Sequence, residues 1–385
     1  MIYLDNSATT KMSEAALHAY VKTATEVFGN PSSRHAVGQA AHKCLEAARK
    51  TILASFDGDG TIVFCASGTE ADNLAIIGRA TAKERFKKGK IVAAMGEHSA
   101  VRETLSRLER DGFRVAYIPT VGGCLDKEAL MRELTPDVFL VTSMTVNNET
   151  GAVYDIPMLS RMMRERSPEA VLHIDATQSY LKLPLSVKTT SASLVTVSAH
   201  KVEGPKGVSA LYVSRELLRK QGLSPTVFGG GQEGGLRSGT ENLPAIASFA
   251  AAVTEGIKSR ADFYRHTDSL RTRIIDGIRK DPVLSEVRPV LPENAAPHIL
   301  SLTLPAIKSE VMLNFLSARE IMISSGSACS SHAQNLSHAL LSFGLTPRDA
   351  DCTVRVSLGR ENTAEEIDTF LSALRTGVST LARIK

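Results

Sequence analysis

Ser198-Ala199-His200-Lys201 directly follows an apolar run, Leu194–Val197, and precedes Gly204-Pro205-Lys206-Gly207. A lysine at the mouth of a buried strand sheds its charge easily and can form a Schiff base with an aldehyde. Taken alone, Lys201 reads more readily as one surface lysine among many. His173-Ile174-Asp175-Ala176-Thr177-Gln178 ends a second apolar run on an acid. A carboxylate buried there needs a cationic or hydrogen-bonded partner, and a protonated ring nitrogen that acts as an electron sink is one such partner. Capping a helix N-terminus is the other use of an aspartate at this place. Cys65-Ala66-Ser67-Gly68-Thr69-Glu70 turns from a strand into a helix, where small residues let backbone N–H groups approach a phosphate at the positive helix end. Neither the lysine-bearing P-loop pattern nor G-x-G-x-x-G is present at this turn, so nucleotide readings lose ground. Cys329 ends Ser324-Ser325-Gly326-Ser327-Ala328-Cys329 and is followed by two more serines. Small polar surroundings suit a thiolate that must reach a substrate, whereas a structural cysteine more often sits among Leu, Ile and Val. On its neighbours alone both readings of Cys329 stay open.

Positioning such groups takes a sheet. Seven short apolar runs, Thr61–Cys65, Ile91–Ala94, Val115–Ile118, Phe139–Thr142, Val171–Ile174, Leu194–Val197 and Val208–Val213, alternate with amphipathic stretches. This is the α/β pattern of a mostly parallel seven-stranded sheet with helices on both faces. A glycine-rich stretch, Gly229–Gly239, precedes a long helical pattern from Leu243 to Arg279. Beyond it, strands over Ile299–Leu304, Ile321–Ser324 and Thr353–Ser357, with helices over Glu310–Ser317, Leu336–Phe343 and Ala364–Ala382, predict a smaller α+β domain. The expected division is an N-terminal segment 1–28 packed on the small domain, a large domain 29–255 and a small domain 256–385.

The 385 residues, 43% apolar and 22% charged, exclude a disordered or fibrous chain. A net charge of +4, with both signs mixed, gives nucleic-acid binding little support. Five scattered cysteines without a C-x-x-C pair argue against a disulfide framework and a metal site. Without a leader or an apolar run of membrane-spanning length, the expected location is the cytoplasm.

The order Leu4-Asp5-Asn6-Ser7-Ala8-Thr9-Thr10, Phe28-Gly29-Asn30-Pro31-Ser32-Ser33, Ser67-Gly68-Thr69-Glu70, Glu97-His98, Asn147-Asn148-Glu149-Thr150-Gly151, His173 to Gln178, Ser198 to Lys201, the glycine loop and Ser324 to Cys329 resembles the cysteine desulfurases. These belong to the class V aminotransferase group of fold type I pyridoxal-phosphate (PLP) enzymes. The likeness runs from Leu4 to about Gly359. It implies that Lys201 carries PLP as a Schiff base and that Asp175 pairs with the ring nitrogen. Gln178 and Asn148 would bond the phenolic oxygen, and His98 would stack on the ring and move protons. Gly68, Thr69, Ser198 and His200 would hold the phosphate, joined by Thr240 of the neighbouring subunit in a homodimer. Arg355, helped by Asn148, would clamp the carboxylate of L-cysteine. Cys329 would take the sulfur as a persulfide and pass it to an acceptor protein, for iron–sulfur clusters or transfer-RNA thiolation.

The chain departs from that pattern at Gly234, where the family often has arginine, and at Ser67-Gly68, where many members have two glycines. The distance from Cys329 to Arg355 matches the longer-looped, iron–sulfur type, and the chain stops at Lys385 without the extension some members use for docking. The competing functions are selenocysteine lyase or another β-eliminating PLP enzyme, a plain aminotransferase, and a non-catalytic scaffold of the same fold.

Overall fold

The computed structural model describes residues 1–325 and 337–381. Cys329 lies outside the described residues. The seven apolar runs form one sheet in the order Thr61–Cys65, Ser209–Val213, Leu194–Ser198, Val171–Asp175, Val138–Met144, Lys90–Ala94, Arg114–Ile118. Each lies within one or two residues of its expected bounds. Ser209–Val213 runs antiparallel to both neighbours, and the other pairs are parallel. Strands buried on both faces need no polar alternation, which is why they were legible as unbroken apolar runs. Only the edge strand Arg114–Ile118 is half exposed.

Helices cover both faces. Ala36–Leu53 and the start of Leu243–Lys280 close one core, and Gly68–Thr81 with Ser99–Arg110 closes the other. A third core, around a four-stranded antiparallel sheet, draws on residues 270–278 of the same long helix. The 38-residue helix Leu243–Lys280 therefore serves the cores of both sheets. Asn242 caps it, accepting from the Ala245 N–H, and Pro244 sits in its first turn, where a missing N–H costs nothing.

The second sheet has the order Ser324–Ser325, Thr353–Ser357, Ile299–Thr303, Arg288–Val290. Two expectations change here. The single strand expected over Ile321–Ser324 is two: Ile321–Met322 pairs in parallel with Ile2–Tyr3, whereas Ser324–Ser325 pairs with Thr353–Ser357. Local apolar content cannot reveal that a chain changes partners in mid-run. Arg288–Val290 escaped notice because it is three residues long and contains Pro289, which only an edge position tolerates.

The first 28 residues divide their packing. Leu4 lies in the small-sheet core, while the helix Glu14–Glu26 lies along the long helix, where Ser248 Oγ donates to the Ala16 carbonyl at 2.6 Å. No helix among the described residues is long and apolar enough to cross a membrane.

Candidate active site

In an open α/β sheet, ligands sit outside the C-terminal ends of the strands. A cavity of about 300 Å³ lies there, between the two sheets. Five strands deliver residues to it: Gly68 and Thr69 follow Thr61–Cys65, His98 follows Lys90–Ala94, Asn148 follows Val138–Met144, Asp175 ends Val171–Asp175 with Gln178 just beyond, and Ser198 ends Leu194–Ser198 with His200 and Lys201 just beyond. Arg355 comes from the second sheet. A larger groove, about 1080 Å³, runs along the far part of the long helix and is lined by none of these residues.

The helix Gly68–Thr81 opens at Ser67, whose side chain accepts from the Glu70 N–H at 3.1 Å. A Cβ on Gly68 would lie in ordinary contact with Ser198 Cβ at 3.6 Å, so the two residues face each other beside the helix start. Ser198 Oγ is buried and has no hydrogen-bond partner among the described residues. Arg237, on the glycine loop, pairs with Glu70 at 2.6 Å and ties that loop to the turn. Thr240, farther along the loop, is exposed and does not line this cavity.

Lys201 Nζ donates to the carbonyls of Ser7 at 2.6 Å and Ala8 at 2.9 Å. His200 Nδ1 meets Thr9 Oγ1 at 3.1 Å, and the Thr10 N–H bonds the His200 carbonyl at 2.9 Å. The N-terminal motif thus wraps the lysine turn, a job its sequence did not disclose. Burial, and then the nearby Lys201 charge, push His200 down to about 4.

Asp175 is buried, and its Oδ1 accepts the Thr177 N–H at 2.9 Å while the residue also lines the cavity. It therefore caps a turn and faces the site at once. Behind it His173 meets Thr142 Oγ1 at 2.8 Å and Thr196 Oγ1 at 3.1 Å. Burial lowers His173 to about 4 against the pull of Asp175, leaving it neutral at pH 7. Two further acids in this layer were not singled out from sequence. Burial, and then the Asp175 charge, raise Asp72 well above the usual carboxylate range. Burial also raises Glu97 to about 8, although its Oε1 accepts the Met144 N–H at 2.7 Å.

Glu97 gives the fold a pH dependence. Its proton is held more tightly in the folded than in the unfolded chain, so its stabilising share is full below about pH 4.5, is lost as pH rises to about 8, and changes little beyond. Thermal unfolding of the wild type and Glu97→Gln between pH 5 and 9 tests this. The wild type should lose stability relative to the variant, by at most about 1.4 kcal/mol per pH unit, until about pH 8. A pH-independent difference would refute it.

His98 caps the helix Ser99–Arg110, its Nδ1 accepting from the Ala100 N–H at 3.2 Å. That bond leaves the ring proton on Nε2. Burial lowers the His98 pKa, as do Lys201 and Arg355, against the pull of Asp175. Gln178 Nε2 donates to the Ser7 carbonyl at 3.0 Å, and its buried Oε1 has no partner among the described residues. Asn148 sits on a turn built by Asn147, whose Oδ1 accepts from the N–H groups of Glu149 and Thr150 at 3.0 and 2.8 Å. Gly151 closes the turn at φ +73°, against the Ile299 carbonyl, where a side chain would collide.

Arg355 is buried to 4% exposure. Its Nη2 donates to Asp5 Oδ1 at 3.0 Å and its Nη1 to the Asn148 carbonyl at 2.9 Å. Among the described residues no group of three His, Cys, Asp or Glu is placed to hold a metal ion.

The family model "Aminotransferase class-V" matches residues 2–370. "Cysteine desulfurase IscS" of Serratia proteamaculans is 37% identical over 386 residues, covering 99% of this chain and 93% of that one. "Cysteine desulfurase IscS 1" of Archaeoglobus fulgidus is 36% identical over 376 residues, with 97% and 96% covered. A solved "NIFS-LIKE PROTEIN" superposes with a TM-score of 0.90 at 31% identity, over 98% of this chain and 99% of that one. "SspA in complex with cysteine" gives 0.76 at 30% identity, over 93% and 99%. Likeness of this extent, in sequence and in fold, leaves one assignment: the chain belongs to the class-V aminotransferase family.

Proposed function

We propose that the protein is a PLP-dependent cysteine desulfurase, which takes the sulfur of L-cysteine onto Cys329 and releases L-alanine. The observation that carries this reading is the arrival of Arg355, on the second sheet, in the cavity that Lys201, Asp175 and His98 line from the first. Relatives aligned over nearly the whole chain carry that name.

The residues fit PLP. The helix start at Gly68 and Thr69, the buried Ser198 hydroxyl without a partner among the described residues, and His200 suit a phosphate. Lys201 is the amine for its aldehyde, Asp175 the carboxylate for a protonated ring nitrogen, and Gln178 and Asn148 the polar groups for its phenolic oxygen. When bound, PLP supplies an electron sink for the pair left on the substrate α-carbon as its proton departs. The chain's own residues do the rest. Arg355, with Asn148, receives the substrate carboxylate, and its planar fork fixes the amino acid in the cavity. His98, its pKa lowered chiefly by burial and its Nδ1 taken by the Ala100 N–H, lines the cavity to move protons. The Cys329 thiolate attacks the substrate sulfur; an S–S bond forms, the Cβ–Sγ bond breaks with its electron pair left on carbon, and Cβ takes a proton to become the methyl of alanine.

A second copy of the chain completes the site. Thr240, exposed on the loop tied to Glu70, is the residue offered to the neighbouring phosphate cradle. The sulfur then leaves for an acceptor protein of an iron–sulfur or thiolation route.

Purified protein with L-cysteine and a reductant should yield sulfide and alanine in equal amounts. PLP-bound protein giving neither would refute the proposal. Cys329→Ala should keep the cofactor and its absorbance change on adding cysteine, while alanine release falls at least about 10³-fold. Undiminished release would remove Cys329 from the reaction.

A further inference from the structure

The guanidinium of Arg355 has five N–H groups in a rigid fork. Asp5 Oδ1 takes one from Nη2 and the Asn148 carbonyl takes one from Nη1. Nε is buried and without a partner among the described residues. Asp5 and the Asn148 carbonyl thus fix the plane of the fork, and its remaining N–H groups are those left for a carboxylate in the cavity that Arg355 lines. Asp5 is itself fixed: Ser324 Oγ donates to its Oδ2 at 3.1 Å, and its backbone forms a bridge with Ser357, on the strand that carries Arg355. Both oxygens of Asp5 are thus committed to holding the clamp.

We propose that Asp5 is a positioning residue that fixes which edge of Arg355 meets the substrate carboxylate and thereby makes the site select L- over D-amino acids. The inference rests on the reading of Arg355 as the carboxylate clamp. A ligand held at its amino group, near Lys201, and at its carboxylate has its remaining substituents set by where the carboxylate is pinned. With both ends pinned, an L-amino acid turns its side chain to one wall of the cavity and its α-hydrogen to the other, a D-amino acid does the reverse, and the walls tell them apart only while the edge is fixed. A guanidinium free to swing attracts both alike, because a point charge has no handedness.

The ratio of D- to L-alanine dissociation constants separates orientation from charge. Any general gain or loss of attraction for anions cancels in it, as does any loss of fold. The constants are read from the absorbance of the bound cofactor as the holoenzyme is titrated. Asp5→Asn should lower the ratio about tenfold, the worth of one well-aligned charge-assisted hydrogen bond. Asp5→Glu, which keeps the charge and moves it by one methylene, should lower it similarly and serves if the asparagine variant does not hold the cofactor. An unchanged ratio in the variant that holds cofactor overturns the inference. Arg355→Gln tests the foundation. If it abolishes the selectivity while the Asp5 variants retain it, the inference alone fails; if Arg355→Gln keeps the selectivity, the clamp reading fails and the inference with it.

Discussion

Replacing Lys201 with alanine should abolish the absorbance band of the lysine-linked cofactor and cut turnover of L-cysteine about 10³- to 10⁴-fold, in line with removal of a reacting acid–base group. The wild-type amine donates to two backbone carbonyls, Ser7 O and Ala8 O, which help fix its place. Without it the chain would have no amine of its own to hold the cofactor's aldehyde or to help release the product. The phosphate cradle is untouched, so cofactor retained by dialysed variant should fall far less than activity. Added ethylamine should restore part of the turnover by supplying the missing amine. An absorbance scan and an alanine assay, with and without ethylamine, check all three points. Full activity in the variant would show that Lys201 only braces the N-terminal turn.

Asp175→Asn should lower turnover about 10²- to 10³-fold, the kinetic equivalent of losing a buried ion-pair partner. Its amide cannot balance a protonated ring nitrogen. The neighbours make a second readout. The Asp175 charge raises Asp72 and Glu97 and works to raise His173 and His98. Removing it should lower all four, and the pH at which Glu97 stops affecting stability should fall below about 8. Thermal unfolding against pH, on the apo protein, reads this independently of catalysis. A variant with wild-type turnover would leave Asp175 only the turn-capping bond to the Thr177 N–H.

What could be read beforehand follows from how far each feature depends on its neighbours in sequence. The seven strands of the large sheet were legible because burial on both faces writes itself into consecutive residues, and the loops after them were legible because Gly68, Asp175 and Lys201 each follow an apolar run. Residues 321–325 were not, since their two pairings are chosen by Tyr3 and Val354, far away in the chain. Asp72 and Glu97 carry no local signal; burial in the folded chain, with the charge of Asp175 added, makes them unusual. Asp5 and Ser7 stood in a quoted motif, yet their partners, Arg355 and Lys201, became visible only in the folded chain. Thr240 is exposed and lines no part of the cavity, so a role across a dimer leaves no mark in a single chain.

The contacts of the N-terminal motif also set the order in which the site is completed during synthesis. Asp5 and Ser7 leave the ribosome first, but Arg355 and Ser357 follow 350 residues later. At about 5–20 residues per second the wait is about 20–70 s. The large sheet and the strap of residues 7–10 over its lysine turn have time to form before the second sheet brings Arg355 and Ser357 to Asp5 and Ser7. A chain truncated before Thr353 would keep all seven strands of the large sheet and lose Arg355 from the site.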